Sequence, residues 1–138
     1  MLTLWWSLLW RFAGVLLAAV FVVGLLVQLV VQSIDAMAPI QVKPTVLWGL
    51  LAIGLWLLAA APQFFESVLW GERLRLSPAQ WQTIGRGLAL FFVLLGLLNV
   101  AVWKFGTIEA WVNFKVWAPL PLLAGWIALV CARVRPMR

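Results

Sequence analysis

Four apolar runs separated by short polar breaks organise the chain. The first, Phe12 to Val31, is twenty residues long, and at about 1.5 Å per residue it measures about 30 Å, the thickness of a bilayer core. Arg11 before it and Ala36-Met37-Ala38 after it imitate a cleavable leader. A leader's apolar region is shorter, however, and Pro39 directly after the site disfavours cleavage, so the run reads as a retained span. The second run, Val46 to Ala61, has sixteen residues. Pro44 suits its first turn, where a missing N–H costs nothing, and Pro62 ends it. Counting both ends gives a short span of about 27 Å, acceptable with local bilayer thinning or with Phe64 and Phe65 anchored in the interface.

From Pro62 to Ser77 the pattern changes. Phe64, Phe65, Val68 and Leu69 recur at helical spacing with Glu66 and Ser67 opposite, which predicts a short amphipathic helix lying in the interface. Leu76-Ser77-Pro78-Ala79-Gln80-Trp81 then carries the sharpest start signal in the chain. Ser77 is an N-cap, Pro78 fits the first helical position, and Gln80 three residues on completes a capping box; Leu76 and Trp81 are spaced for a hydrophobic staple. A helix starting there runs through Gly87–Trp103 as the third span. The fourth extends from near Trp111 to near Val130. Inside it Pro119 and Pro121 remove the hydrogen bonds to the Lys115 and Trp117 carbonyls, which predicts a kink. The pattern therefore predicts an all-α fold, a polytopic membrane helix bundle with four transmembrane helices plus a short interfacial helix. The spans fall near 12–31, 45–62, 84–103 and 111–131, with a cytoplasmic loop over 63–82, in a single membrane domain covering 1–138.

Composition supports lipid as the solvent. Of the 138 residues 66% are apolar and 10% charged, against roughly half and a quarter in soluble domains. So short a chain cannot hide that much apolar surface from water. The eleven tryptophans (there is no tyrosine) sharpen the picture. Trp5, Trp6, Trp10, Trp48, Trp70, Trp81, Trp103, Trp111 and Trp117 lie at or near the ends of apolar stretches, where interfacial rings prefer to sit. Trp56 and Trp126 fall mid-run and are expected between helices.

The net charge of +6 does not indicate nucleic acid, because the ten Lys and Arg stand singly between apolar runs rather than in a basic patch. With four spans, Arg11, Arg73, Arg75, Arg86, Arg133, Arg135 and Arg138 fall on one side and Lys43, Lys104 and Lys115 on the other. Seven against three predicts both termini in the cytoplasm of a bacterial cell, the protein being multi-pass in its inner membrane.

Candidate chemistry is sparse. There is no histidine to act as general base or ligand. The single Cys131 excludes an internal disulfide and reads as a small hydrophobe. Asp35, Glu66, Glu72 and Glu109 have no metal-ligand spacing, and Gly85-Arg86-Gly87 lacks a phosphate-loop context. No enzyme, metal or cofactor is expected. What remains is a polar set near the non-cytoplasmic edge: Asp35, Lys43, Asn99, Lys104, Glu109, Asn113 and Lys115, with Trp111 among them. Charge in lipid costs about 3 kcal/mol or more, so such residues are candidate sites. The alternative is that the lysines snorkel to headgroups and Asn99 bonds across helices. Glu109 and Asn113, four apart, share a helix face. Gly14 and Ala18, also four apart, permit close helix contact.

Leu98-Asn99-Val100-Ala101-Val102-Trp103, followed by Thr107-Ile108-Glu109-Ala110-Trp111-Val112-Asn113-Phe114-Lys115, resembles the intracellular septation protein A family, also called the inner membrane-spanning protein YciB family. Its WVNFK signature is uninterrupted here. Lys43-Pro44-Thr45, after a loop containing Asp35, resembles the family's KPT turn, and Gly71-Glu72 with Leu76 and Trp81 resembles its cytoplasmic loop. The matches keep their order from about Asp35 to Pro121. Members are longer, with two further N-terminal spans, so the chain reads as a shortened member beginning at the third; it also lacks the aromatic that usually precedes Lys43. The resemblance implies a non-enzymatic role in cell-envelope biogenesis and septation, through helix-mediated contacts with membrane proteins of the division and elongation machinery, with homo-oligomers possible in the same bilayer. It supplies no catalytic residues. The alternative is a small channel or transporter with a polar pathway near the non-cytoplasmic side.

Overall fold

The computed structural model describes residues 2–32, 41–69 and 74–134. Among these residues there are six helices: α1 (Leu2–Gln32), α2 (Val42–Ala60), α3 (Pro62–Val68), α4 (Pro78–Phe105), α5 (Ile108–Trp117) and α6 (Pro119–Arg133). Among the described residues there is no strand. Helices α1, over Leu2–Leu26, α2 and α4 are each long and apolar enough to cross a bilayer, and α5 with α6 passes as one bent segment. This is the all-helical membrane bundle that the hydrophobic pattern predicts, with α3 as the short extra helix.

Helix α4 is the hub, packing on α2 over the largest interface and also touching α3, α5 and α6. Its start is the expected one. The Ser77 backbone N–H donates to Gln80 Oε1 at 2.7 Å, and the Gln80 N–H donates to Ser77 Oγ at 3.3 Å, closing the capping box. Leu76 and Trp81 are both buried in the core. At 28 residues α4 is about 42 Å long, longer than a bilayer core. The fourth segment breaks where its prolines require. Helix α5 ends at Trp117, Pro119 opens α6, and the two axes differ by 49°. The Ala118 N–H still reaches the Phe114 carbonyl at 3.0 Å, and the Ala118 carbonyl accepts from Leu122 N–H at 3.1 Å, so the chain bends without losing those bonds.

The structure adds local detail to these expectations. Helix α1 begins at Leu2 rather than Phe12, because Leu4, Leu8 and Phe12, spaced by four, form one buried stripe. The Trp5 indole N–H also donates to the Ala124 carbonyl of α6 at 3.0 Å. Arg11 therefore lies inside the helix rather than before it. Its Nη1 donates to the Leu69 carbonyl at 3.4 Å, at the C-terminal end of α3, where a cation meets carbonyls left over by the helix. Within the connection 63–82 the short helix expected around Phe64–Leu69 is α3, and α4 starts at Pro78 where the capping box puts it. Within α3 the two phenylalanines part: Phe64 is exposed, but Phe65 is buried and meets the Trp81 ring edge-on at 5.7 Å.

The tryptophans also redistribute. Trp126 packs between helices as expected, with its N–H on the Gly87 carbonyl at 2.8 Å and its ring 5.9 Å from Phe91. Trp56 does not; it faces outward beneath the Arg86 guanidinium, 5.5 Å from the ring centroid. Trp81 and Trp111, placed at run ends by the sequence, turn inward and are buried. A tryptophan at the end of a run can face either headgroups or a neighbouring helix. The neighbours present at its level decide between them.

Candidate functional site

The end of α4, the start of α2 and the first turns of α5 meet at a buried polar junction. Asn99 is the only buried polar side chain among the described residues, and an amide in an apolar setting must find partners. It finds three. Nδ2 donates to the Gln41 carbonyl at 3.1 Å and to Thr45 Oγ1 at 2.9 Å. Oδ1 accepts the Trp111 indole N–H at 3.0 Å. The network fixes the amide orientation, since an indole only donates and a carbonyl only accepts. Asn99 thus ties together three helices that lipid alone would not hold, because lipid tails compete with apolar side chains on equal terms.

Local sequence places these groups. Gly96, one turn before Asn99, is buried against α2; a Cβ there would meet Trp48 Cβ at 3.7 Å and Thr45 Cγ2 at 3.9 Å, which is ordinary contact. Trp48 stacks on Phe92 at 5.6 Å one turn further along. The corner that returns α5 toward Asn99 depends on Gly106, where a Cβ would lie 2.6 Å from the Val102 carbonyl oxygen. Its N–H meanwhile closes α4 on that same carbonyl at 2.9 Å. Thr107 then caps α5, its Oγ1 accepting the Ala110 N–H at 3.1 Å, and Trp111 faces Asn99 one turn later. Beside the junction Gln41, Trp103, Gly106, Thr107, Ile108 and Trp111 enclose a cleft of about 250 Å³.

The polar residues singled out in the sequence separate into two groups. Asn99 and Trp111 are brought together and buried. Lys115 lies against Trp111 from outside, its Nζ 5.3 Å from the ring centroid, an exposed cation–π contact worth about 0.5–1 kcal/mol. Glu109, Asn113 and Lys104 are exposed and stand apart from the junction. Glu109 in the first turn of α5 and Lys115 in its last both complement the helix dipole. Lys43 is half-buried in the first turn of α2, beside the buried Pro44. Asp35 lies outside the described residues. Gln41 and Thr45 are what sequence reasoning missed. The signal was present: an asparagine inside an apolar helix requires partners, and Thr45 belongs to the Lys43-Pro44-Thr45 turn already noticed. Among the described residues no group of three or more His, Cys, Asp or Glu is placed to hold a metal.

The junction joins two of the stretches that carried the resemblance, Lys43–Thr45 and Leu98–Lys115. Comparison with known proteins agrees: the profile of the intracellular septation protein A family matches residues 2–132. The chain belongs to that family. Among its curated relatives, the inner membrane-spanning protein YciB of Bradyrhizobium sp. (strain ORS 278) is 34% identical over 83 residues, covering 60% of this chain and 42% of the relative. The protein of the same name from Burkholderia vietnamiensis (strain G4) is 40% identical over 93 residues, covering 65% and 52%. That from Burkholderia cenocepacia (strain J2315) is 39% identical over 93 residues, covering the same shares. The chain thus spans about half the length of the curated relatives it matches. No solved structure matches it. Family membership and the apolar helices together make this a multi-pass inner-membrane protein.

Proposed function

We propose that this septation-family member works without catalysis, supporting septation and envelope biogenesis through contacts that the outer face of α5 makes with membrane proteins of the division and elongation machinery. One observation carries the reading. Glu109 and Asn113 share the outward face of α5 with exposed Val112 and Val116, whereas the neighbouring Asn99 and Trp111 are already satisfied by internal bonds. A polar pair on an outward helix face within the membrane region costs free energy in lipid and lowers it when another helix supplies hydrogen bonds. A conducting pathway would need polar groups lining an opening, whereas among the described residues Asn99 and Trp111 are bonded to each other and Lys104, Glu109, Asn113 and Lys115 are exposed.

In this reading both termini are cytoplasmic, following the seven-to-three bias of Lys and Arg, and α5 starts on the far side. The test is in-cell photocrosslinking from positions 109 and 113 in the full chain, alongside a deletion strain. Crosslinks to division or elongation proteins that weaken in Glu109→Ala, with misplaced septa in the deletion strain, are expected. Normal septum placement, cell length and detergent tolerance in the deletion strain would overturn the proposal.

A further inference from the structure

Every outward groove of a membrane bundle meets lipid, so lipid contact alone says little. One groove here, between α4 and α6, carries a cation at one end. Thr83, Gly87, Leu90, Trp126, Leu129, Val130 and Arg133 line a hollow of about 250 Å³. Phe91, Leu94, Leu95, Leu98, Leu122 and Trp126 line a second of about 150 Å³ further along the same pair of helices. Trp126 lines both, and their α4 residues follow in order (Thr83, Gly87 and Leu90, then Phe91, Leu94 and Leu98), so the hollows lie end to end along one interhelical trough from Arg133 toward the middle of α4.

The trough is built into the packing. The Trp126 N–H is held on the Gly87 carbonyl at 2.8 Å, and the ring lies 5.9 Å from Phe91, which sets the indole as a fixed part of the lining. Gly87 lets α6 come close, since a Cβ there would meet Val130 Cγ2 at 3.0 Å. Beyond Trp126 the lining is apolar throughout. At the other end Arg133, in the last turn of α6 and exposed, supplies the charge. Thr83 does not compete for an anion, because its hydroxyl hydrogen is used on the Ala79 carbonyl at 2.9 Å. Neither hollow has an acidic residue in its lining.

An apolar channel ending in an arginine near a helix terminus matches a molecule with an acyl chain and an anionic phosphate head. We propose that the α4–α6 trough is a seat for an anionic phospholipid, the acyl chain lying along Leu90 and past Trp126 to Leu94 and Leu98 and the phosphate resting on Arg133. The specificity resides in the arginine and the occupancy in the trough.

The test uses the full chain in nanodiscs containing equal amounts of phosphatidylglycerol and phosphatidylcholine. One or the other lipid carries a photoreactive group on its acyl chain, and crosslinked peptides are mapped by mass spectrometry. Crosslinks should concentrate on the α4 and α6 peptides, with phosphatidylglycerol favoured about fivefold, the ratio that about 1 kcal/mol for one arginine at an anionic surface produces. Arg133→Gln should bring the two lipids to parity while crosslinking persists. Leu94→Trp should fill the trough and reduce crosslinking of both lipids there, and Thr83→Val should change neither. Equal crosslinking by the two lipids in the parent protein would overturn the proposal. So would a phosphatidylglycerol preference that survives Arg133→Gln, an even spread of crosslinks over all outward faces, or a second copy of the chain occupying the trough instead of lipid.

Discussion

Near its first turns α4 buries Trp81 against the edge of Phe65, with Leu69 and Leu76 in the same core. Here α2 comes so close that a Cβ on Gly85 would lie 2.8 Å from Ala59 Cβ. Some five turns later the same helix buries Asn99, and contact with α2 and α5 runs through three hydrogen bonds. Each end holds one buried tryptophan, and they are used differently. The Trp111 N–H is bonded to Asn99, whereas the Trp81 N–H has no hydrogen-bond partner among the described residues. The first end is held by shape and the second by polarity. In a bilayer both are needed, because burial of apolar surface gives helices no advantage over lipid. Only close packing or a satisfied polar group does.

This contrast can be broken from the apolar end, with the largest effect. Trp81→Ala leaves a void where the ring met Phe65 and should cost about 3–5 kcal/mol, read as a loss of stability in reversible denaturation from bicelles. A cost below about 1 kcal/mol would show that the apolar end is not held by packing. A smaller effect is expected at the polar end. Asn99→Leu removes three interhelical bonds, each worth about 0.6 kcal/mol on average within membranes, so about 2 kcal/mol in total. Trp111→Phe alone should cost about one such bond. Because the two residues share that bond, the double variant should lose less than the sum of the singles; strict additivity would mean that Asn99 and Trp111 do not act together. The smallest effect sharpens the comparison most. Trp81→Phe keeps a ring and removes a buried donor that has no acceptor among the described residues, so it should be close to neutral, within about 0.5 kcal/mol, and less costly than Trp111→Phe. The reverse order would mean that the Trp81 N–H has a partner after all.

Much of this molecule was legible from its sequence because the signals concerned are local or lie along the chain. Run lengths and the scarcity of charge placed the chain in a membrane and set its helices. Ser77, Pro78 and Gln80 determined where α4 starts, since a capping box satisfies donors within one turn. Pro119 and Pro121 determined where the last segment bends, since each lacks a hydrogen-bond donor. Asn99 announced that helices must meet at its level, since an amide cannot remain unsatisfied among apolar side chains. Which face of each helix turns inward was left to the tertiary structure. In a soluble protein polar residues mark the outer face of a helix, but α2 is apolar on nearly all sides, with exposed Ile53, Trp56 and Leu57 as hydrophobic as buried Leu51 and Leu55. Hence Trp81 and Trp111 could be read as interfacial and Trp56 as buried, although the assembled helices placed all three the other way. The same assembly decided which acceptors and donors Asn99 uses, drawing on Gln41 and Thr45 more than fifty residues away, and left Glu109 and Asn113 outside. Lipid and protein interior are nearly equivalent solvents for these side chains. Hydrophobicity therefore determined that the chain enters the membrane, and only packing and hydrogen-bond geometry decided how its helices fit together.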